Sequence, residues 1–205
     1  VVDGPDAPDM VMQELDKELI LYISNKLTSN NFNELYEEHD PAIVSPDSVP
    51  AAERYDSLYR FEGYQIYQVK DETVTASEVH DADLARIVAQ CDVENGVSRL
   101  INFYYNEDLG ALVPQEEVDG SDEGVVHSFR IVEDQFATGD RRLVNNKKYY
   151  FIVVAYGYNE YEKYSQDPAN QIEGVISLYG QQKPYLAGRK NIKVYTGIPH
   201  IPSPE

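Results

Sequence analysis

The sequence predicts an all-β fold, a β-sandwich built as one enlarged domain. Short apolar runs rich in β-branched and aromatic residues recur along the chain, and turn-forming residues separate them. These runs do not alternate with amphipathic helices of about 10–15 residues, so the pattern argues against a parallel α/β sheet. Hydrophobic residues make up 42% of the 205 residues, which is a globular composition that can fill a core.

The first two strands are predicted at residues 10–15 and 18–25. Asp16 and Lys17 form the short turn between them, so the two strands read as a hairpin. The second run is Glu-Leu-Ile-Leu-Tyr-Ile-Ser-Asn, which is apolar enough to lie in the core.

An insertion is predicted at residues 26–57, where the strand pattern breaks down. Repeated prolines mark most of it as a surface loop. A short helix is expected near residues 30–36, and Phe32, Leu35 and Tyr36 are expected to pack the insertion onto the domain.

The next strand is predicted at residues 59–70, with Gly63 inside it as the mark of a bulge or bend. Residues 73–83 follow as a turn and a short helix. Ser77 or Asp81 is expected to cap that helix, because both side chains can accept a backbone N–H at a helix start.

Residues 85–93 form another apolar strand, which ends at the turn signal Glu-Asn-Gly of residues 94–96. Residues 98–105 are expected to pair with that strand. Residues 106–124 are acidic and contain glycine, so we expect a loop there. Together these segments make residues 73–124 a second insertion.

Three further strands complete the prediction. They are expected at residues 125–132, at residues 148–158, which is the strongest strand signal in the chain, and at residues 190–196. A third insertion is expected at residues 166–188. The single domain then spans residues 1–197, and the proline-spaced residues 198–205 are expected to link it to a following domain.

Residues 143–155 resemble the end of a fibronectin type III domain. That family has a Leu, a Tyr six residues later, and then apolar residues at alternate positions ending in Ala. The matching positions here are Leu143, Tyr149, Phe151, Val153 and Ala155. The resemblance implies that the Leu closes the bottom of the core, and that the Tyr hydroxyl bonds the backbone at the corner before its strand.

The resemblance also implies a fibronectin type III or immunoglobulin-like sandwich with long loop insertions and short helices. Leu19, Leu21 and Ile23 match the apolar face of the second strand. The family's usual Trp on that strand is missing, so Tyr22 or Ile23 must fill its space. An unrelated sandwich is the alternative.

The net charge of −19 restricts the partners of the domain. Such a charge repels phosphate backbones and anionic lipid surfaces, so we do not expect nucleic-acid binding. No apolar run approaches the roughly 18 residues needed to span a bilayer, so we do not expect membrane insertion. Neighbouring domains of the same chain, other surface proteins and glycans are the expected partners. The single cysteine, Cys91, lies in an apolar run and is expected to be a buried, inert thiol.

No catalytic constellation is recognisable, and the chain is predicted not to be an enzyme. Its histidines are His39, His80, His127 and His200. They form no close metal-ligand pair and no Ser-His-Asp pattern. An enzyme that uses two loop carboxylates is an alternative, and it would require a deep cleft in which two acids converge.

Two acidic segments are candidate calcium sites, because Ca²⁺ prefers several oxygen ligands. The first gathers Asp119, Ser121, Asp122 and Glu123 around Gly120 and Gly124. The second repeats an Asp at every third residue near the start, at Asp3, Asp6 and Asp9. Solvated turns without metal are the alternative for both segments, and no cofactor is predicted other than this Ca²⁺.

Tyrosine is unusually frequent, with 17 Tyr against 6 Phe and no Trp. A Tyr ring combines an apolar body with a polar tip, which suits interfaces and sugar contacts. A candidate binding platform consists of Tyr156, Tyr158, Tyr161 and Tyr164. The alternative is that these rings only cover the sandwich.

These observations together predict a non-catalytic structural or protein-interaction module. We expect it in a larger exported or cell-surface bacterial protein, of the kind that includes type IX-secreted proteins. A carbohydrate-binding module with a Tyr platform is the first alternative, and a calcium-stiffened spacer domain is the second.

Overall fold

The structure is a computed structural model that describes residues 2–167 and 180–203. Its strands are β1 (Asp9–Leu15), β2 (Glu18–Ser24), β3 (Glu37–His39), β4 (Leu58–Val69), β5 (Ala85–Asp92), β6 (Arg99–Asn106), β7 (Ala111–Asp119), β8 (Ser128–Ile131), β9 (Tyr149–Tyr158), β10 (Tyr185–Ala187) and β11 (Tyr195–Gly197). Helical structure in the described residues is limited to 3₁₀ turns at Phe32–Glu34, Ala51–Glu53 and Ala76–Glu78.

Two antiparallel sheets form the sandwich-like fold, and the predicted all-β class is confirmed. The smaller sheet has the strand order β1-β2-β8. In the larger sheet β4 and β9 lie side by side at the centre; β3 and β5 pair with the other edge of β4, and β10 and β11 pair with the other edge of β9. The hairpin of β6 and β7 is a separate two-stranded sheet.

The main core lies between the two sheets. Strand β2 alternates between buried and more exposed residues, as a strand that covers one face of a core should. Its buried residues Leu19, Leu21 and Ile23 share one cluster with residues of β4 and β9. Cys91 joins this cluster, and burial raises the pKa of its thiol, which fits an inert cysteine.

The larger sheet is buried on both faces, because the predicted second insertion folds over its outer side. Tyr67 and Val69 of β4 pack there with Val74 and Val79 of the insertion. The β6–β7 hairpin contributes Leu100 and Val118, which pack with Tyr156 and Tyr185. The protein therefore has three layers, with the larger sheet in the middle.

Polar contacts fasten the hairpin to that sheet. Gln65 of β4 donates its side-chain N–H to the Glu117 carbonyl at 2.8 Å, and it accepts the Tyr185 hydroxyl at 2.9 Å. Asn102 of β6 exchanges two hydrogen bonds of 3.0 Å with the Tyr185 backbone. Buried polar groups that are paired in this way fix the position of the hairpin as well as stabilise it.

Several sequence predictions were wrong in this region. Residues 98–105 do not pair with β5; as β6 they pair with β7. The expected loop at residues 106–124 contains the nine-residue strand β7. The run of β7 has Pro, Gln and Glu at its centre, so it carries little intrinsic β signal, and cross-strand pairing with β6 supplies the missing preference.

The closing strand also differs from its prediction. Within the predicted segment only the end is a strand, β11, which pairs with the start of β9. Strand β10 lies inside the predicted third insertion and pairs with the end of β9. Residues 168–179 of that insertion lie outside the described residues. The bulge expected at Gly63 is confirmed, since the β4–β9 register shifts between Phe61 and Gly63.

Two local predictions in the insertions fail. Leu35 does not pack the first insertion onto the domain, because 75% of it is exposed, whereas Tyr36 is buried as predicted. The 3₁₀ turn at Ala76–Glu78 is capped by Thr75, which forms a capping box with Glu78, and not by Ser77 or Asp81.

The two ends of the described chain lie at opposite ends of the sandwich. Near the start, the Ala7 N–H donates to the Lys190 carbonyl, two residues after Gly188, whose N–H donates to the Ala155 carbonyl in the second half of β9. Near the finish, the His200 N–H donates to the Leu15 carbonyl at the β1–β2 turn, and the Pro199 carbonyl accepts the Asn146 N–H just before β9. Across residues 2–167 and 180–203, no helix is long and apolar enough to cross a membrane.

Candidate functional site

The corner before β9 uses the five residues that carry the family resemblance. Leu143, Tyr149, Phe151, Val153 and Ala155 are each at most 2% exposed and lie in the main core. The Val144 N–H donates to the Tyr149 hydroxyl oxygen at 2.9 Å, so the hydroxyl bonds the backbone five residues upstream. This corner fixes where β9 begins.

Of the two residues Tyr22 and Ile23, the one that faces the core from β2 is Ile23. Ile23 is 4% exposed and belongs to the main core. Tyr22 is on the other face of β2, is 41% exposed, and donates its hydroxyl to Gln13 of β1. Period two along the strand therefore assigns the inner position to Ile23.

The candidate calcium segment at Asp119, Ser121, Asp122 and Glu123 is organised by protein contacts. The Asp122 carboxylate accepts the backbone N–H groups of Asn95 and Gly96 at 2.8 and 3.0 Å. The Asp122 N–H donates to the Asp92 carboxylate at 2.9 Å. In the part of the chain that the structure describes, no group of three or more His, Cys, Asp or Glu side chains is arranged to hold a metal ion.

The three aspartates near the start do not converge on a cation site either. Asp3 pairs with Lys190 at 2.7 Å, and Asp9 pairs with Lys26 and Lys193 at 2.9 and 3.0 Å. Partial burial acts to raise the pKa of Asp9, but the hydrogen bonds from its partners outweigh it and lower the pKa to about 2. Lysine ammonium groups thus supply the positive charge that a metal would bring.

A buried carboxyl group lies beside that segment. Glu62 of β4 is 3% exposed, and its two carboxyl oxygens accept the Asn95 side-chain N–H at 3.1 and 2.9 Å. Burial raises the pKa of Glu62 to about 8, against the lowering effect of the Asn95 hydrogen bond. Burial also raises the pKa of Asp92. Glu62 is therefore mostly protonated at neutral pH.

Two clefts open at the end of the molecule where β4 begins and β9 ends. The first, of about 380 Å³, is lined by Asp56, Leu58, Arg60, Phe61, Glu62, Val93, Asn95, Tyr158, Asn159, Glu160 and Tyr161. The second, of about 320 Å³, is lined by Arg99, Leu100, Ile101, Phe103, Glu160, Lys163, Tyr164, Gln181 and Pro184. Glu160 lines both clefts, so they meet at that residue.

The predicted four-tyrosine platform is wrong as a set, because Tyr156 is fully buried. Its ring packs on Tyr185 at a centroid distance of 5.1 Å under the β6–β7 hairpin. The other three rings are partly exposed: Tyr158 and Tyr161 line the first cleft, and Tyr164 lines the second. Tyr156 and Tyr158 belong to strand β9, whereas Tyr161 and Tyr164 lie on the loop that follows the strand.

Some cleft residues were not among the predicted site residues, and the sequence carries a signal for only part of them. Glu62 interrupts an apolar strand, and a charged residue in a strand buried on both faces indicates a partnered or protonated acid. Phe103 had no such signal, because its placement depends on the docking of the hairpin, and Glu160 is one of many exposed acidic residues. Comparisons with protein-family models, with curated proteins and with solved structures each gave no match.

Proposed function

We propose that this chain is a non-catalytic structural and protein-interaction module, of the fibronectin type III kind, from a larger exported or cell-surface bacterial protein. The arrangement of strands supports the family: β1, β2 and β8 form one sheet, and β5, β4, β9 and the last strands form the other. The bond from the Val144 N–H to the Tyr149 hydroxyl supports it further.

The observation that carries the proposal is the path of the chain. It enters at one end of the sandwich and leaves at the other, past the β1–β2 turn. The exit is held by the Ile198 N–H, which donates to the Glu14 carboxylate at 2.7 Å, and by the two backbone bonds of Pro199 and His200. A module with this path would hold any neighbouring domains apart in a line and fix their direction.

The insertions support a rigid module. Outside strand β5, the 73–124 segment is built into a third layer by two apolar clusters and by the hydrogen bonds of Gln65 and Asn102. Segments fastened in this way resist opening, and their outer side offers a fixed surface to partner proteins.

Limited proteolysis tests whether the module is autonomous. Cleavage is expected only in exposed segments such as residues 44–54, and a protected fragment that contains both β4 and β9 should persist. Early cuts within β4 or β9 would contradict an autonomous module.

Surface labelling tests the predicted location. An antibody raised against the domain should bind intact cells of the source bacterium or detect the protein in the medium. Detection only after lysis would contradict export while leaving the spacer role open to the proteolysis test.

A further inference from the structure

We propose that the two clefts that meet at Glu160 form one groove that binds a neutral oligosaccharide. This goes beyond the module function, because it assigns the chain a ligand site of its own. The argument rests on the aromatic lining, the balance of charge and the rigidity of the walls.

Aromatic rings line both halves of the groove. Tyr158 and Tyr161 lie in the first cleft, and Phe103 and Tyr164 lie in the second. Such rings offer apolar faces to the C–H faces of sugar rings, and the Tyr hydroxyls offer hydrogen bonds to sugar hydroxyl groups. Aromatic residues in both halves favour a ligand of several sugar units over a single small molecule.

Neighbouring rings hold two of these side chains in place. The Tyr161 ring packs on Tyr55 at a centroid distance of 4.7 Å, and the Tyr164 ring packs on Phe103 at 4.6 Å. A ring already fixed by a neighbour loses little conformational entropy when a ligand binds.

Carboxylates in or beside the lining pair with both of its arginines. Arg60 bonds Asp56 at 2.5 Å and Glu37 at 3.2 Å, and Arg99 bonds Glu116 at 2.5 Å. Because burial keeps Glu62 mostly protonated at neutral pH, that carboxyl adds little negative charge and can donate a hydrogen bond to a hydroxyl. A balanced lining within a chain of net charge −19 favours a neutral ligand over an anionic one.

Backbone hydrogen bonds fix the walls of the groove. The Asn159 N–H donates to the Pro184 carbonyl at 3.0 Å, and the Gln181 N–H donates to the Glu162 carbonyl at 2.8 Å. On the hairpin side, the Phe103 N–H donates to the Gln182 carbonyl at 2.8 Å. The groove is thus formed before a ligand arrives, as most small-molecule sites are.

Saturation-transfer NMR and titration calorimetry on the 205-residue chain test the groove. The probes are neutral hexasaccharides of β-1,4-glucan, β-1,4-xylan, β-1,4-mannan and α-1,4-glucan, with an oligogalacturonate as the anionic comparison. At least one neutral probe should receive saturation from the protein's aromatic protons. Its dissociation constant should rise about threefold to tenfold in Tyr161→Ala and in Tyr164→Ala.

A matched control is Tyr22→Ala, which removes an exposed ring from the outer face of β2 and should leave the dissociation constant unchanged. A thermal melt of each variant separates loss of contact from loss of fold, and amide shifts of the wild-type chain on titration should map to residues around Glu160.

Three outcomes would overturn the proposal: no binding of any neutral probe at millimolar concentration, equal binding by both Tyr variants and the wild type, or tighter binding of the anionic probe. None of them bears on the protease resistance that tests the module, so the two proposals fail separately.

Discussion

Tyr149 shows how a single hydroxyl group determines where a strand begins. The ring is buried in the main core, and the hydroxyl oxygen accepts the Val144 N–H, so the chain must reverse between the two residues. The neighbour Tyr150 also lies in β9, but it packs against the other cluster, on the opposite face. Position within the strand therefore decides which Tyr holds the corner.

Removing that hydroxyl should weaken the fold. Tyr149→Phe keeps the ring but leaves the Val144 N–H without its acceptor, so the free energy of unfolding should fall by about 1 kcal/mol. Urea denaturation measures it. Tyr150→Phe is the matched control and should change stability much less; equal losses in the two variants would contradict a special role for the corner.

Glu62 should make stability depend on pH. Its pKa of about 8 in the folded protein lies above the value of about 4.3 expected for an unfolded Glu, so the folded state holds a proton that the unfolded state releases. The stabilisation is complete below the unfolded pKa. It is lost as pH rises, with a slope approaching about 1.4 kcal/mol per pH unit, until the folded pKa is passed.

Glu62→Gln isolates this effect, because an amide resembles the protonated acid. The variant and the wild type should have similar melting temperatures at pH 5, and the variant should melt higher at pH 8. Glu53→Gln, at an exposed position, is the control and should show no such divergence. Parallel melting curves for Glu62→Gln and the wild type across this range would show that Glu62 is not protonated in the fold.

At the scale of elements, close approach of neighbouring atoms explains why a glycine stands at the bulge in β4. A methyl group on Gly63 would collide with the Cys91 carbonyl and would come within 2.6 Å of the Tyr156 hydroxyl. A methyl group on Gly157 of β9 would meet only milder contacts, at 3.0 Å from the Arg60 carbonyl and 3.1 Å from the Tyr36 ring.

A graded loss of stability should follow. Gly63→Ala is expected to lower the free energy of unfolding by about 1–3 kcal/mol through overpacking, and Gly157→Ala by less. Equilibrium unfolding of both variants measures the order, and the reverse order would mean that β4 relaxes easily at its bulge.

Removal of calcium should leave the acidic segments unchanged. The Asp122 carboxylate already accepts hydrogen bonds from the Asn95 and Gly96 N–H groups. The Asp3 and Asp9 carboxylates already form ion pairs with lysines. Melting temperatures in millimolar calcium and in chelator are therefore expected to agree. A rise of several degrees with calcium would revive the stiffened-spacer alternative, since a ligand at about 100 times its Kd adds roughly 2.7 kcal/mol.

The elements differ in how far the sequence determines them. Strands β2, β4 and β9 were predicted within a residue or two, because their apolar runs lie in the core whatever surrounds them. Strand β7 was missed, since its pairing with β6 is a tertiary effect. The Tyr residues of the groove were predicted from their clustering in the sequence. Phe103 was not, because it lines the groove only through the docking of the β6–β7 hairpin.

At the scale of the whole molecule, the middle sheet has no solvent-exposed face along most of β4 and β9. These two strands pair over their whole length, from Arg60 with Tyr158 to Val69 with Tyr150. Covered, fully paired strands open only in global unfolding, whereas an edge strand can open locally.

Hydrogen exchange should therefore be slowest in β4 and β9. Their amides are expected to exchange with the free energy of global unfolding, and the amides of the short edge strand β3 should exchange much faster. Mass spectrometry of peptic fragments provides the comparison. Equal protection of β3 and β9 would contradict a layered hierarchy of stability.

The opposed entry and exit points also determine how the domain responds to tension. Strands β1 and β11 both run toward the exit end, and each is hydrogen-bonded sideways to an antiparallel neighbour, β2 or β9. A pull between the two ends acts along these strands and across their hydrogen bonds, which are perpendicular to the strand direction. The seven residue pairs of β1 with β2 are then loaded in shear together instead of being unzipped one at a time.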